Sequence, residues 1–422
     1  MIVIKKGRYI NPLTRQDEII DIVVDRHRIE MTGMHISFRE AEVIEAEGMI
    51  VAPGFVDIHA HFRDPGPTFK EDIQSGVRAA AKGGYTSVVL MANTDPPVDN
   101  VKTLEYVLYK GKYSDINVAS CATVTLNMSG EEVVDMEALA EAGAAGFTDD
   151  GNTIVDKDVL YRAMKKAGRV GKPICLHEEN PRYVANPGIN RGYASEMLKC
   201  RGASRRAEIS MIKRDLDIAL HTGATVVIQH VSTKEGVELI RQAKLLNPLI
   251  YAEATPHHFS LTEETLVEKG NNAKVNPPLR TEEDRLAIIE GLCDGTIDVI
   301  ATDHAPHTRT DKWGKVTAVP SGMIGLETAL SVGLKYLVEP GYLTITDLIM
   351  KMSVNPARLF NLNAGNIGLY QKADIVVFDP NETYEVGDFA SKSQNSPYKG
   401  EILPGVVHYT ICNGKIVYNK NW

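Results

Sequence analysis

The residues most suited to chemistry lie in the run FVDIHAHFRDPG at residues 55–66. Because side chains alternate between the two faces of an extended strand, His59, His61 and Arg63 are expected to project to the same side. Two neutral imidazoles at this spacing can bind zinc or a related ion. A lone His-X-His pair can equally be an accident of the surface, so the rest of the sequence must decide between these two interpretations.

Further histidines and carboxylates stand at the ends of other apolar runs. Two runs end at His177 and at His230, a third ends in TDHAPH at residues 302–307, and a fourth ends in GFTDDG at residues 146–151. Four independent placements at strand ends favour a metal site over four unrelated polar residues. Four histidines and two aspartates exceed the needs of one tetrahedral ion with an open position, but they suit two ions bridged by a carboxylate.

These strand ends belong to a pattern between about residue 50 and residue 340, in which β-branched runs alternate with segments of helical periodicity. The predicted strands are Phe55–His59, Ser87–Met91, Asn117–Cys121, Ala145–Thr148, Pro173–His177, Thr225–His230, Leu249–Ala254 and Asp298–Thr302. A capping-box pattern at Thr68 and Glu71 predicts the start of the helix after the first strand. Eight βα repeats predict an α/β fold, a closed (β/α)8 TIM barrel, with a doubly wound open sheet as the alternative. In such a barrel the carboxyl ends of all strands meet at one face.

The two ends of the chain have all-β character instead. Short alternating runs occupy residues 1–50, and the tail resumes them with a hairpin signal at Asn413-Gly414. Neither end could bury a core alone, so we expect one small β-sandwich domain formed by both termini and interrupted by the barrel. The predicted boundaries are 1–52 and 365–422 for the two parts of the β-sandwich domain and 53–364 for the barrel.

Composition limits the class of protein. The 422 residues carry a net charge of −9 and 43% hydrophobic residues, and no apolar stretch approaches about 18 residues, which argues against disorder and against a membrane partner. The amino terminus does not resemble a signal peptide, and five scattered cysteines indicate neither a disulfide framework nor a thiolate metal site, so a cytoplasmic location is expected. The acidic balance argues against nucleic-acid binding. The oligomeric state stays open, with a homodimer as one option.

Several of these motifs resemble the amidohydrolase superfamily and, within it, the dihydroorotase family of the bacterial class I type. The motifs that carry the resemblance are DIHAHFRDPG, His177, His230, TDHAPH, and NIGLYQKADIV at residues 366–376, where the superfamily returns from its barrel to its β-domain. MANT at residues 91–94 and NPPLR at residues 276–280 narrow the resemblance to the dihydroorotase family. The resemblance covers nearly the whole chain.

The resemblance implies a site for two zinc ions (Zn2+) per subunit. The implied ligands are His59, His61 and Asp303 for one ion and His177 and His230 for the other, with Asp150 as the bridge. Many members of the superfamily bridge with a carboxylated lysine, but GFTDDG contains no lysine. Asp149 is the rival bridge; because successive residues of a strand face opposite ways, only one of the two should point inward, and the family pattern favours Asp150.

The resemblance also implies the reaction, which is the reversible interconversion of N-carbamoyl-L-aspartate and L-dihydroorotate in pyrimidine biosynthesis. Asp303 would be the catalytic proton shuttle between the attacking water and the departing amide nitrogen. The implied substrate contacts are His61, Arg63, Asn93, Asn276, His307, Ser321 and Gly322. Among them Arg63 suits the substrate carboxylate, because a guanidinium can bind it through two parallel hydrogen bonds. Ser321 departs from the phenylalanine that relatives often carry.

Two other functions stay open at this point. A hydantoinase or allantoinase would be another cyclic amidohydrolase, but the missing bridging lysine and the presence of Arg63 with Asn93 count against it. An inactive scaffold protein would be expected to have lost metal ligands, whereas all six positions are filled here. The polar segment 308–315 is expected to form a mobile loop over the site.

Overall fold

The structure, a computed structural model, describes residues 1–422. Five strands open the chain: β1 (Ile2–Asn11), β2 (Gln16–Asp25), β3 (Arg28–Gly33), β4 (Glu42–Glu45) and β5 (Ile50–Pro53). β1 pairs antiparallel with β2 and parallel with β4 and β5. Alternate residues of these strands, such as Ile2, Ile4 and Ile22, enter one hydrophobic cluster, as period-two patterning requires.

Eight parallel strands follow in the middle of the chain. They are β6 (Phe55–Ala60), β7 (Tyr85–Leu90), β8 (Asn117–Ser120), β9 (Phe147–Thr148), β10 (Ile174–Leu176), β11 (Val226–Ile228), β12 (Ile250–Ala254) and β13 (Val299–Ile300). Strands β6–β8 and β9–β13 form two parallel sheets. A parallel bridge between Ala122 and Phe147 joins the sheets, and another between Ala60 and His304 leads back to β6. Backbone pairing thus runs round all eight strands, and each predicted strand overlaps an observed one.

Helices occupy the segments between these strands and continue to residue 359. They are α1 (Ile73–Lys82), α2 (Val101–Lys112), α3 (Met136–Glu141), α4 (Lys157–Arg169), α5 (Tyr193–Met197), α6 (Arg206–Thr222), α7 (Lys234–Leu246), α8 (Pro256–Ser260), α9 (Glu263–Lys269), α10 (Glu282–Asp294), α11 (Ala329–Gly333), α12 (Ile345–Ile349) and α13 (Asn355–Leu359). Wider helical turns at Leu334–Val338 and Met350–Val354 extend α11 and α12.

The predicted capping box at Thr68 and Glu71, at the start of the helix after β6, is wrong. Helix α1 begins after Asp72, whose carboxylate accepts the Ser75 amide at 2.7 Å, while the Ser75 hydroxyl accepts the Asp72 amide at 3.0 Å. Glu71 is drawn away from the helix instead, because its buried carboxylate binds the Ser391 hydroxyl and the Lys392 amide of the tail.

The tail completes the sheet that the amino terminus begins. Its strands are β14 (Ile375–Glu385), β15 (Ile402–Cys412) and β16 (Lys415–Asn419), and the sheet runs β16-β15-β14-β5-β1-β2-β3 with β4 beside β1. The predicted hairpin joins β15 to β16 at Asn413-Gly414, where Gly414 has a φ of 72° and a Cβ would lie 1.7 Å from the Arg26 carbonyl oxygen. Both termini therefore contribute strands to one mixed sheet.

The core lies mainly in and around the parallel strands. A cluster of 78 buried residues packs the helices against these strands, and a smaller cluster of 12 includes residues from several of the strands, such as Val56, Val89, Cys175 and Val227. None of the helices combines the length and the apolar character that a membrane span needs.

Candidate metal centre

Six predicted ligands meet at the carboxyl ends of the parallel strands. His59, His61, Asp150, His177, His230 and Asp303 lie in or just after β6, β9, β10, β11 and β13, and all six are buried. Two groups have ligand atoms close enough to hold an ion: His59, His61 and Asp150 form one, and Asp150, His177 and His230 form the other. Asp150 is shared by both groups.

The Asp150 carboxylate lies at the centre of the four imidazoles. Its Oδ1 is 3.4 Å from His59 Nε2, 3.5 Å from His230 Nε2 and 3.6 Å from His177 Nδ1, and its Oδ2 is 3.4 Å from His61 Nε2. His59 Nε2 and Asp150 Oδ1 are buried and have no hydrogen-bond partner. Two buried ligand atoms without hydrogen-bond partners, at the point where four imidazoles meet one carboxylate, fit a pair of divalent cations.

Asp149 faces away from this centre. Its Oδ1 accepts the backbone amides of Val124 at 2.7 Å and Thr125 at 3.1 Å, and its Oδ2 accepts the Thr125 hydroxyl. Asp149 therefore holds the loop after β8, while Asp150 points inward. The strand alternation predicted that only one of the two would do so.

Asp303 lies beside the first pair of histidines. Its Oδ1 is 3.0 Å from His61 Nε2 and 3.6 Å from His59 Nε2. The backbone of Asp303 has a φ of 46°, and Arg63 and His230 are also left-handed, with φ values of 54° and 34°. Such conformations cost of order 1–3 kcal/mol each and concentrate at functional sites. They indicate that the ends of β6, β11 and β13 are shaped for the positions of these side chains.

Glu253 of β12 is a site residue that the sequence analysis missed. Its Oε1 lies 2.5 Å from His59 Nδ1 and accepts the His230 amide at 3.1 Å. A carboxylate at Nδ1 fixes a proton on that nitrogen and orients the ring, so His59 Nε2 is the atom that faces Asp150. The available signal was a single glutamate inside the apolar strand IYAEA, where a buried charge needs a partner.

The charged groups of the centre shift one another's pKa. Burial works to raise the pKa of Asp150 and of Asp303, but the neighbouring histidines, His59 first, hold both well below the usual range. Burial works to lower the pKa of His177, yet Asp150 and Glu179 raise it to about 10. The two aspartates are therefore ionised at neutral pH and able to act as ligands or bases.

A cavity of about 220 Å³ opens above the centre and has almost no apolar lining. Besides metal-centre residues, Gly151 and Ala305, it is lined by Arg63, Asn93, Asn276, His307, Ser321 and Gly322. His61 also lines it, so every predicted substrate contact faces this space. The polar lining suits a small polar ligand.

Arg63 brings a positive charge to this cavity. Its Nε is buried without a hydrogen-bond partner. The adjacent carboxylate of Asp64 does not bind Arg63, because it binds Lys110 Nζ at 2.8 Å and the Tyr106 hydroxyl at 2.9 Å. Arg63 is therefore free to bind an anionic ligand.

The two predicted asparagines hold the walls of the cavity. Asn93 Oδ1 accepts His61 Nδ1 at 2.9 Å, and its Nδ2 donates to the Asp150 carbonyl oxygen at 3.2 Å. Asn276 Oδ1 accepts the Gly188 amide at 3.0 Å. Asn93 thus orients one histidine of the centre, and Asn276, whose Nδ2 lies 3.5 Å from His177 Nε2, contacts another while it fixes the Gly188 amide.

His307 is a neutral acceptor at the rim of the cavity. Burial, followed by the charges of Arg63 and Lys312, lowers its pKa to about 3. Its Nε2 donates to the Ser321 carbonyl oxygen at 2.8 Å, and its Nδ1 is buried without a partner. With the proton on Nε2, the free Nδ1 can accept a hydrogen bond from a ligand N–H.

Asn395 joins the carboxyl-terminal tail to the cavity and was also missed. Its Oδ1 accepts the His307 amide at 3.1 Å, and its Nδ2 donates to the carbonyl oxygens of Ala305 at 3.1 Å and Gly322 at 3.0 Å. The side chain is buried and lies between β14 and β15 in the chain. No motif marks it, because its partners are about 70 to 90 residues away in sequence.

Comparison with known proteins gives a family and several close relatives. The family model described as the amidohydrolase family matches residues 50–417. A dihydroorotase from Clostridioides difficile (strain 630) is 51% identical over 99% of this chain and 100% of its own length, and one from Clostridium acetobutylicum is 51% identical over 99% of both chains. Among solved structures, an L-hydantoinase from Arthrobacter aurescens superposes with a TM-score of 0.85 over 99% of this chain and 96% of its own, at 24% identity. This last likeness concerns the fold alone.

Proposed function

The chain belongs to the amidohydrolase family, and from this membership we propose that it is a dihydroorotase, which interconverts N-carbamoyl-L-aspartate and L-dihydroorotate with loss or gain of water. The observation that carries the proposal is Arg63. It supplies a partner-free guanidinium beside a two-group metal centre, in a chain about half identical to dihydroorotases along its whole length. A cyclic amide that carries a carboxylate suits both the guanidinium of Arg63 and the metal centre.

We propose zinc as the metal, with two ions per subunit. His59 and His61 with Asp303 would hold one ion, His177 and His230 would hold the other, and Asp150 would bridge them. The two ligand groups that share Asp150 support the histidine pairs and the bridge, and the 3.0 Å distance from Asp303 Oδ1 to His61 Nε2 supports the place of Asp303. When bound, such ions lower the pKa of water and polarise an amide carbonyl.

The residues of this chain supply binding and proton transfer. The ionised Asp303 carboxylate faces the cavity and can take a proton from the attacking water at its oxygen, then return it to the departing amide nitrogen. Arg63 would bind the substrate carboxylate through two hydrogen bonds. His307 Nδ1 would accept a substrate N–H, and Asn93, Asn276, Ser321 and Gly322 would complete the pocket. His61 would contact both metal and substrate.

The architecture and setting of the enzyme follow from the same proposal. The ring of strand pairings supports a closed (β/α)8 barrel over residues 53–364, and the sheet shared by residues 1–52 and 365–422 supports the small β-sandwich domain. We place the enzyme in the cytoplasm, in pyrimidine biosynthesis, and propose a homodimer.

Parallel assays of purified protein test the proposal. L-dihydroorotate, hydantoin and allantoin would be supplied separately to protein whose metal content has been measured. We expect turnover of dihydroorotate and little or none of the other two. Metal-loaded protein that leaves dihydroorotate unchanged would refute the proposal, and preference for hydantoin would replace it with the function of the fold relatives.

A further inference from the structure

Lys312 is a buried lysine that forms no ion pair. Its Nζ donates to three backbone carbonyl oxygens, those of Asn271 at 3.1 Å, Lys274 at 3.4 Å and Pro320 at 2.9 Å. The residue is only 7% exposed, and burial lowers its pKa to about 7. Burying an amine is unfavourable unless its donors are satisfied, so the three carbonyl contacts are what hold this side chain in place.

The three carbonyl groups belong to two segments that end in walls of the substrate cavity. Residues 271–274 lead directly into Asn276, and Pro320 directly precedes Ser321 and Gly322. Lys312 therefore lies behind the cavity, at the point where these two segments approach each other.

Two further hydrogen bonds between the two segments involve a second lysine, Lys274. Lys274 Nζ donates to the Val319 carbonyl oxygen at 2.7 Å, and the Gly322 amide donates to the Lys274 carbonyl oxygen at 2.8 Å. The fit is tight, because a Cβ on Gly188 would lie 2.4 Å from Ser321 Oγ and 2.7 Å from the Val275 carbonyl oxygen. A small movement of either segment would therefore change the cavity.

The segment 308–315, which the sequence predicts to be mobile, is anchored by hydrogen bonds to Asn271 and within itself. Asn271 Nδ2 donates to the carbonyl oxygens of Lys312 and Gly314, each at 2.9 Å, and the Thr308 hydroxyl donates to Asp311 at 2.8 Å. Asn271 and Lys312 thus bind each other's backbone reciprocally.

We infer that Lys312 is a positioning residue, which holds Ser321 and Gly322 against the segment of Asn276 and so sets the width of the substrate cavity. The inference rests on the proposed function, because it takes the occupant of the cavity to be dihydroorotate. His307 transmits the position of Ser321 to the ligand through its bond to the Ser321 carbonyl oxygen. Lys312 does not line the substrate cavity, and it contacts none of the six proposed metal ligands.

Kinetics of Lys312→Met provide the first test. Its matched control is Lys315→Met, which removes an exposed lysine from the same loop. We expect Lys312→Met to raise KM for dihydroorotate on the order of tenfold and to change kcat by less than about threefold, because binding geometry rather than proton transfer is disturbed. Metal content should stay at the wild-type value. Lys315→Met should behave as wild type.

Amide hydrogen exchange provides a test that does not depend on turnover. Exchange in peptides covering residues 308–322 should accelerate in Lys312→Met and not in Lys315→Met, because the Gly322 amide loses its fixed acceptor. If the wild-type protein does not turn over dihydroorotate, the proposed function is refuted. The exchange measurement still tests whether Lys312 holds the two segments together. Lys312→Met that matches Lys315→Met in both KM and exchange would overturn the inference.

A second variant covers the case in which Lys312→Met does not fold. Asn271→Ala removes the two bonds to the Lys312 and Gly314 carbonyl oxygens without altering the buried amine. It should raise KM and accelerate exchange in the same direction, to a smaller extent. Wild-type values of both quantities in Asn271→Ala would contradict the proposed anchor.

Discussion

Glu253→Gln is the most direct test of how the protein prepares its metal ligands. The substitution keeps an oxygen that can accept His59 Nδ1 and preserves the size of the side chain, but it removes the negative charge. The 2.5 Å contact marks a charge-assisted hydrogen bond, and the same oxygen also accepts the His230 amide, so one carboxylate supports a ligand from each group. Loss of such a partner typically weakens metal binding tenfold to hundredfold, about 1.4 to 2.8 kcal/mol.

The assay is competition for zinc between the protein and a chelator of known affinity, followed by metal analysis. The matched control is Glu382→Gln, which alters a similar pair, Glu382 with His408 Nε2 at 2.6 Å, in the terminal sheet. We expect the control to bind zinc as the wild type does, and the circular dichroism of both variants to be unchanged. Zinc affinity of Glu253→Gln equal to that of the control would refute the assigned role of Glu253.

Three further predictions concern the substrate, the proton shuttle and pH. Arg63→Met should lower kcat/KM for dihydroorotate by about a hundredfold at unchanged metal content, and wild-type kinetics would exclude Arg63 from carboxylate binding. Asp303→Asn should retain most of the metal and lose about 10²- to 10⁴-fold in kcat, so an unaltered kcat would remove Asp303 from proton transfer. Burial lowers the pKa of Lys312 from 10.5 to about 7. Between pH 7 and pH 10.5 the unfolded chain therefore binds more protons than the folded chain does. The free energy of unfolding of the wild type should therefore rise relative to Lys312→Met from pH 7 to pH 10.5 in urea titrations, and a constant difference would contradict this.

Much of the site was predictable because its information is local in sequence. An apolar run gives a strand, a parallel strand has its carboxyl end at a common face, and a histidine or aspartate at that end must face the same space as its neighbours. For this reason His59, His177 and His230 could be placed together without knowledge of the distances. The alternation of side chains likewise predicted that Asp149 and Asp150 would face opposite ways.

The contacts that could not be predicted are those that depend on how distant segments meet. Glu253 lies 194 residues from the histidine that it binds. Glu71 occupies a plausible capping position, but a buried contact with Ser391, 320 residues away, outweighs the local pattern. Asp64 could have paired with its neighbour Arg63, yet Lys110 reaches it from α2. In each case the packing of the elements, rather than the motif, selects the partner.

Asn395 has a consequence for the order in which this protein becomes competent during its synthesis. A nascent chain that has left the ribosome as far as residue 364 already contains all six proposed metal ligands and every residue of the cavity lining. It still lacks the amide that binds His307, Ala305 and Gly322, and it lacks β14, which pairs with β5. The contacts that Asn395 makes to the pocket can therefore form only after residue 395 has emerged, and a chain that ends before it lacks this support of the pocket wall.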